Sequence, residues 1–299
     1  MARYLLLRIV QYLVHSSRLT MRFTYEKATE SQLAQLAGHC DRSNPTRDVL
    51  YELSGGRSVI KISDDTVVKC GFGVTQEEAR NQLRAYDLID QTIVRVPRVH
   101  RFFEKDGTGY IIMEYVDGKP LNPTEDPRAC DGIARALAHF SQIRSDKPGP
   151  LGGGLAYGLL WTEGDWISPT TSSDIENYFN TRQLLRHQKL EIKSQNFSLC
   201  HLDIAPRNIL KLRNGSLCLL DWASAGFYPR FFEICTLRIN IWTQKDFNSQ
   251  VLRLLEALDE HGERQAQLLE KAYYLGQKHI YNLPSSSKRK RKQINIEGV

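Results

Sequence analysis

The chain has 299 residues, 41% apolar and 25% charged, which is the composition of ordinary globular material and a length that suits one bilobal enzyme or two domains. Its formal charge of +6 sits at the ends: residues 1–25 and 288–299 each carry a net +4, which leaves −2 for the body between them. A slightly acidic body with two basic ends is not the footprint of a nucleic-acid-binding fold.

Met1 to Tyr25 is rich in Leu, Arg, Ser and Thr and contains no acid. Arg8 interrupts its apolar run well short of the ~20 residues a spanning helix requires, so no membrane span is expected. Three readings of this extension stay open: a mitochondrial transit peptide, an amphipathic helix packed on the body, or sequence from an over-extended reading frame. Residues 285–299, with Lys288 to Lys292, read as a solvated, disordered tail, with a nuclear import signal as the alternative. The six cysteines show no C-x-x-C and no clustering with histidine, which points to neither a zinc site nor a disulfide framework. A reducing compartment follows, and the cytoplasm is the expected one, with mitochondrion or nucleus left open by the basic ends.

Next in chain order, Ser54-Gly55-Gly56-Arg57 reads as a turn between the short stretch Arg47–Glu52 and a strand at Ser58–Ile62. Ser63-Asp64-Asp65 turns the chain back into a second strand, Thr66–Cys70. Thr75 to Ile89 predicts a helix, with Thr75 as N-cap and Glu78 at capping-box spacing. Val99–Glu104 and Gly109–Val116 predict a further strand pair around a Lys105-Asp106-Gly107 turn. Asp117-Gly118-Lys119-Pro120 breaks the pattern and marks an interlobe connection. Apolar spacing predicts a helix over Ala129–Gln142, and the Gly- and Pro-rich run from Lys147 to Gly158 reads as loop. Further helices are expected around Ser173–Leu190, Phe231–Ile241 and Phe247–Gln277.

The chemistry is concentrated in Cys200-His201-Leu202-Asp203-Ile204-Ala205-Pro206-Arg207-Asn208-Ile209-Leu210 and in Leu219-Leu220-Asp221-Trp222. The first run contains H-x-D-x-x-x-x-N. The two runs are joined through Asn214-Gly215 between apolar stretches, the strongest short-range hairpin signal, which predicts positive φ at both turn positions. Such a hairpin returns the chain and brings Asp221 near Asn208. Phosphoryl transfer from a nucleotide needs this set: a carboxylate to orient an attacking hydroxyl and accept its proton, and two oxygen ligands for Mg²⁺.

The stretch His201–Asn208 together with Asp221-Trp222-Ala223-Ser224-Ala225-Gly226-Phe227-Tyr228-Pro229 resembles the aminoglycoside-phosphotransferase-type family of small-molecule kinases. Leu202 stands where protein kinases have Arg, and Asp221-Trp222-Ala223 where they have Asp-Phe-Gly, which favours a small-molecule kinase. The resemblance implies an α+β, bilobal protein-kinase-like fold: a small β-rich lobe at 46–116, and a larger, mostly helical lobe at 117–284 that carries the catalytic loop and the acceptor. It implies ATP and Mg²⁺ as cofactors, Asp203 as catalytic base with His201 supporting the loop, and Asn208 and Asp221 as metal ligands. On the nucleotide side Lys69 resembles the strand lysine that neutralises phosphates, with Glu78 as ion-pair partner; neighbouring Glu77 stays open, and the family's Glu-Ala pair favours Glu78. Gly55 and Gly56 take the place of the phosphate-covering loop, and Met113, Glu114 and Val116 that of the hinge against adenine.

The acceptor is expected to be a hydroxyl of a small molecule, bound between the catalytic loop and residues 161–190, where Trp161, Glu163, Asp165 and Trp166 are candidates for lining it. A monomer without nucleic-acid partners is expected. Two alternatives stand beside this reading: a catalytically silent kinase-fold protein that binds nucleotide or regulates, and, more weakly, an atypical protein kinase, although no Ala-Pro-Glu signature is present.

Overall fold

The computed structural model describes residues 25–38, 48–53, 56–161, 167–181, 188–193, 197–242 and 244–278. The expectations for residues 1–24, Gly55, Glu163, Asp165, Trp166 and the basic tail lie outside the described residues. The fold is mixed helix and sheet, and it divides into two compact units: Met1–Val74 with His100–Tyr115, and Thr75–Val99 with Val116–Val299.

The first unit is a five-stranded sheet of order β1-β2-β3-β5-β4, made of β1 (Asp48–Leu53), β2 (Arg57–Lys61), β3 (Thr66–Gly71), β4 (Val99–Lys105) and β5 (Thr108–Glu114). Alternation along β2 and β3 sends Ile60, Val68 and Cys70 inward, where they meet Phe103, Tyr110 and Ile112. The helix α1 (Glu30–Ala37) covers this cluster with Leu33 and Ala37. Thr29 and Gln32 cap it reciprocally. Because α1 belongs to this core, the unit begins well before residue 46. Tyr25 stacks on His100 with ring centroids 4.1 Å apart, so ordered packing reaches that residue too.

The helix α2 (Gln76–Leu88) was expected with the first lobe, yet it falls in the second unit. The reason is its burial: Ala85 and Ile89 join Val94, Val96, Ile133, Leu137, Phe140 and Trp222 in one core. The Gln82 amide also donates to Pro97 O at 2.8 Å. As expected, the Thr75 hydroxyl caps α2, accepting from the Glu78 N–H at 3.3 Å.

After α2 come β6 (Gly118–Pro120), α3 (Ala129–Phe140), β7 (Arg144–Ser145), β8 (Gly149–Pro150), α4 (Ser172–Asn180), β9 (Phe197–Cys200), β10 (Ile209–Leu212), β11 (Leu217–Leu219), β12 (Gly226–Tyr228), α5 (Phe231–Ile239), α6 (Lys245–Leu254) and α7 (Glu260–Lys278). They build two small sheets, β11-β10-β6 and β7-β9-β12-β8, among the helices. The expected connection at 117–120 is thus partly a strand, paired antiparallel with β10 through Leu210↔Pro120. The expected loop at 147–158 likewise gives β8 to the second sheet. A second core surrounds Trp161, where Tyr178, Phe179, Tyr228 and Phe232 lie with ring centroids 5.2–6.3 Å away. Trp161, a candidate for lining the acceptor, is only 6% exposed and packs in this aromatic core.

Candidate functional site

Four secondary-structure boundaries build the site. β9 ends at Cys200 and delivers His201; a 3₁₀ turn at Pro206–Asn208 leads into β10; β11 ends one residue before Leu220-Asp221; and α5 starts just beyond β12. The β10–β11 hairpin forms as expected, with Ile209↔Leu219 and Lys211↔Leu217 in register. Its turn differs in detail. Only Gly215 has positive φ, at 83°, while the Gly215 N–H donates to Leu212 O and the Leu212 N–H to Ser216 O. That makes a three-residue loop closed by one left-handed glycine, and the Asn214 carboxamide accepts from the Ser216 N–H at 3.0 Å instead of taking positive φ itself.

The hairpin brings its two ends together, for the Leu220 N–H donates to Asn208 O at 2.8 Å. His201, fully buried, closes the same loop from below. Its Nδ1 accepts from the Asp203 N–H at 3.2 Å, which leaves the proton on Nε2 to donate to Leu220 O at 3.1 Å. Burial lowers the imidazole's pKa, and the nearby Asp203 and Asp221 offset this only in part, so the ring is a neutral spacer. It also meets Trp222 edge-on, with ring centroids 4.6 Å apart, and Trp222 anchors itself by donating Nε1–H to Leu219 O at 3.0 Å.

Asp203 is held at both carboxylate oxygens. Arg207 Nη2 donates to Oδ1 at 2.5 Å, and Asn208 Nδ2 donates to Oδ2 at 2.8 Å and to Asp203 O at 2.9 Å. With its nitrogen committed to Asp203, the Asn208 amide turns its oxygen the other way. That oxygen and the Asp221 carboxylate are hard donors of the kind Mg²⁺ takes. Among the described residues no three or more His, Cys, Asp or Glu gather into a metal cage. A sparse pair of oxygens fits a cation that draws its remaining ligands from phosphate and water. Leu202 and Asp221 both have left-handed backbone, at φ 64° and 61°, which puts one strained non-glycine residue on each of these two loops.

Two residues that sequence reasoning missed hold the loops in place. Glu233 of α5, buried, accepts from the His201 N–H at 2.6 Å and from the Leu202 N–H at 3.2 Å. A lone carboxylate inside Phe231-Phe232-Glu233-Ile234-Cys235 was the available signal, since a charge in an apolar helix survives only with partners. Asn81 of α2 donates to Ala223 O at 3.0 Å, and nothing in its local sequence announces this.

The second unit therefore brings together His201, Asp203, Asn208 and Asp221, and it also holds Glu78, buried on α2, and Val116. Lys69 on β3, Gly56, Met113 and Glu114 lie in the first unit. Lys69 sits between Val59 and Ile111 across the sheet, while Met113 and Glu114 pair with Val67 and Thr66.

The fold is shared with solved phosphotransferases. A thermostable mutant of aminoglycoside phosphotransferase APH(4)-Ia, in its apo form, matches at TM-score 0.58 and 16% identity over 83% of this chain and 90% of that one. A ternary complex of the same enzyme with AMP-PNP and hygromycin B matches at 0.52 and 14%, over 81% and 87% of the two chains. A putative fructosamine-3-kinase from Haemophilus somnus 129PT matches at 0.51 and 14%, over 81% and 90%. Among curated proteins none matches significantly. The profile of the phosphotransferase enzyme family matches residues 50–269, close to three-quarters of the sequence and inclusive of both catalytic runs, and the chain belongs to that family.

Proposed function

We propose that this phosphotransferase moves the γ-phosphate of ATP to a hydroxyl of a small molecule, with Asp203 as the base. The observation that carries the reading is the cross-tied pair of loops: Asp203 and Asn208 on one, Asp221 on the other, joined through Leu220, Asn208 and His201. Asp203 would orient the acceptor hydroxyl and take its proton as the new O–P bond forms and the bond from the γ-phosphorus to the bridging oxygen breaks, releasing ADP. A raised pKa is not required, because a loose transition state asks for orientation more than for base strength. Asn208 and Asp221 would hold Mg²⁺, which when bound offsets charge on the phosphates. His201 keeps Asp203 and Leu220 in register and transfers no proton. Lys69, Glu78, Gly55, Gly56, Met113, Glu114 and Val116 are assigned to the nucleotide on the strength of the family pattern.

A second reading, a catalytically silent nucleotide-binding protein, draws on one observation: Arg207 and Asn208 between them hold both oxygens of the Asp203 carboxylate. Arg207 is half exposed and can swing away, so the ion pair is not a permanent block.

Thermal unfolding with and without Mg·ATP tests the shared core of both readings. Stabilisation of about 2.7 kcal/mol is expected at ligand a hundredfold above its dissociation constant. No shift at millimolar Mg·ATP, with the protein folded, overturns both readings. Acceptor-dependent ADP release across a panel of aminoglycosides, amino alcohols and sugars then separates enzyme from silent binder. A chain trimmed to residues 25–284, keeping Tyr25 on His100, is expected to bind Mg·ATP as the full chain does, in a monomeric state by sedimentation. Loss of binding, or a fall of several degrees in melting temperature, would make one of the basic ends part of the fold.

A further inference from the structure

We infer that Asn81 is a positioning residue that holds the Asp221 loop ready for the cation; the inference rests on the phosphotransferase reading above. Asn81 is 0% exposed in the middle of α2, where asparagine is a poor helix former and a buried amide persists only with its bonds made. Both ends of that amide are used. Nδ2 donates to Ala223 O at 3.0 Å, and Oδ1 accepts from the Gly152 N–H at 2.7 Å. One side chain thereby ties together the helix, the glycine turn at 152–154 and the segment that follows Asp221.

The packing around these bonds is close. A Cβ on Gly152 would lie 2.5 Å from Arg80 Cβ and 2.9 Å from Asn81 N, so only glycine lets the turn rest on the helix backbone. The next residue of the loop is held from the other side, since Ser224 Oγ donates to His201 O at 3.1 Å. Ala223 and Ser224 are thus pinned to α2 and to the catalytic loop respectively.

Such pinning has a use. Asp221 adopts left-handed backbone at φ 61°, a conformation that non-glycine residues keep only where neighbours impose it. Without the bond to Ala223 O the loop relaxes toward commoner backbone, and the cation must draw it back. Apparent cation affinity then falls by the fraction of molecules that remain competent. One buried hydrogen bond is worth roughly a tenfold change on this scale.

The test is Mg²⁺-dependent binding of AMP-PNP to the full chain by calorimetry. Asn81→Ala and Asn81→Asp are both expected to raise the half-saturating Mg²⁺ concentration about tenfold, while AMP-PNP affinity at saturating Mg²⁺ stays within about twofold. Ionised, the aspartate keeps an acceptor for Gly152 and sets its second oxygen against Ala223 O in place of the donor, which turns that bond into a repulsion, and it serves if the alanine variant does not fold. Thr75→Ala is the control: it removes the cap of the same helix without touching the partners of Asn81. It should lower the melting temperature and leave the Mg²⁺ midpoint unchanged. Midpoints unshifted in the Asn81 variants, or shifted equally by Thr75→Ala, overturn the positioning role alone. A wild-type chain that binds no AMP-PNP with Mg²⁺ overturns the phosphotransferase reading and this inference with it.

Discussion

Asp203→Asn is expected to lose between a hundredfold and ten-thousandfold in acceptor-dependent ADP release, the usual weight of a positioned general base, while Mg·ATP binding persists. The substitution removes a proton acceptor and one negative charge but little volume. An amide oxygen can still accept from Arg207 or Asn208, so the loop should keep its shape. Asp221→Ala is expected to behave differently and to weaken Mg·ATP binding itself, because it removes an oxygen proposed to touch the cation. The two variants are compared by thermal shift with Mg·ATP and by turnover of whichever acceptor the panel identifies. If both lose nucleotide binding to the same extent, or if Asp203→Asn keeps turning over, the division of roles is wrong.

The parts of the fold that were legible in the sequence are those whose information is local. H-x-D-x-x-x-x-N and the following Asp lie close along the chain and are joined by a hairpin whose glycine announces itself. The β2–β3 and β4–β5 pairs were legible for the same reason, since each is a short apolar run around a polar turn. β1 was not, because Asp48 to Glu52 is exposed throughout and lacks the inward–outward alternation that marks a strand. The eight-residue α1 was overlooked although Thr29 and Gln32 spelled its capping box, as only Leu33 and Ala37 are buried. The packing of Trp161 was not legible, because a lone tryptophan in sequence reads equally well as wall or core, and its ring neighbours at 178, 179, 228 and 232 come from distant parts of the fold. Glu233 and Asn81 were out of reach for a different reason. Their partners lie 32 and 142 residues away, and hydrogen bonds at that separation follow from the finished topology.

Glu233→Ala is expected to cost about 3 kcal/mol of stability or more, since it strands the buried N–H groups of His201 and Leu202 and opens a cavity in α5. Glu233→Gln retains one acceptor oxygen and should be milder, which makes it the better probe of charge. Burial raises the Glu233 pKa from 4.5 to about 7, outweighing the two N–H donors that lower it. A carboxyl raised in this way favours the folded state in its protonated form. Its contribution is complete below the unfolded pKa and is lost as pH climbs through the folded one, for a total of about 3 kcal/mol across that window. His201 slopes the other way, because its lowered pKa gives a contribution that is complete above its ordinary 6.5 and is lost as pH falls. The pH profile of the wild type therefore mixes two opposed terms, and subtraction of Glu233→Gln isolates one of them. Chemical denaturation at pH 5.5 and pH 8 should show the wild-type advantage over Glu233→Gln shrinking by most of that amount at the higher pH. A gap that stays constant would mean that the two backbone donors keep Glu233 ionised throughout, and that the catalytic loop is clamped by a charge and not by a buried neutral acid.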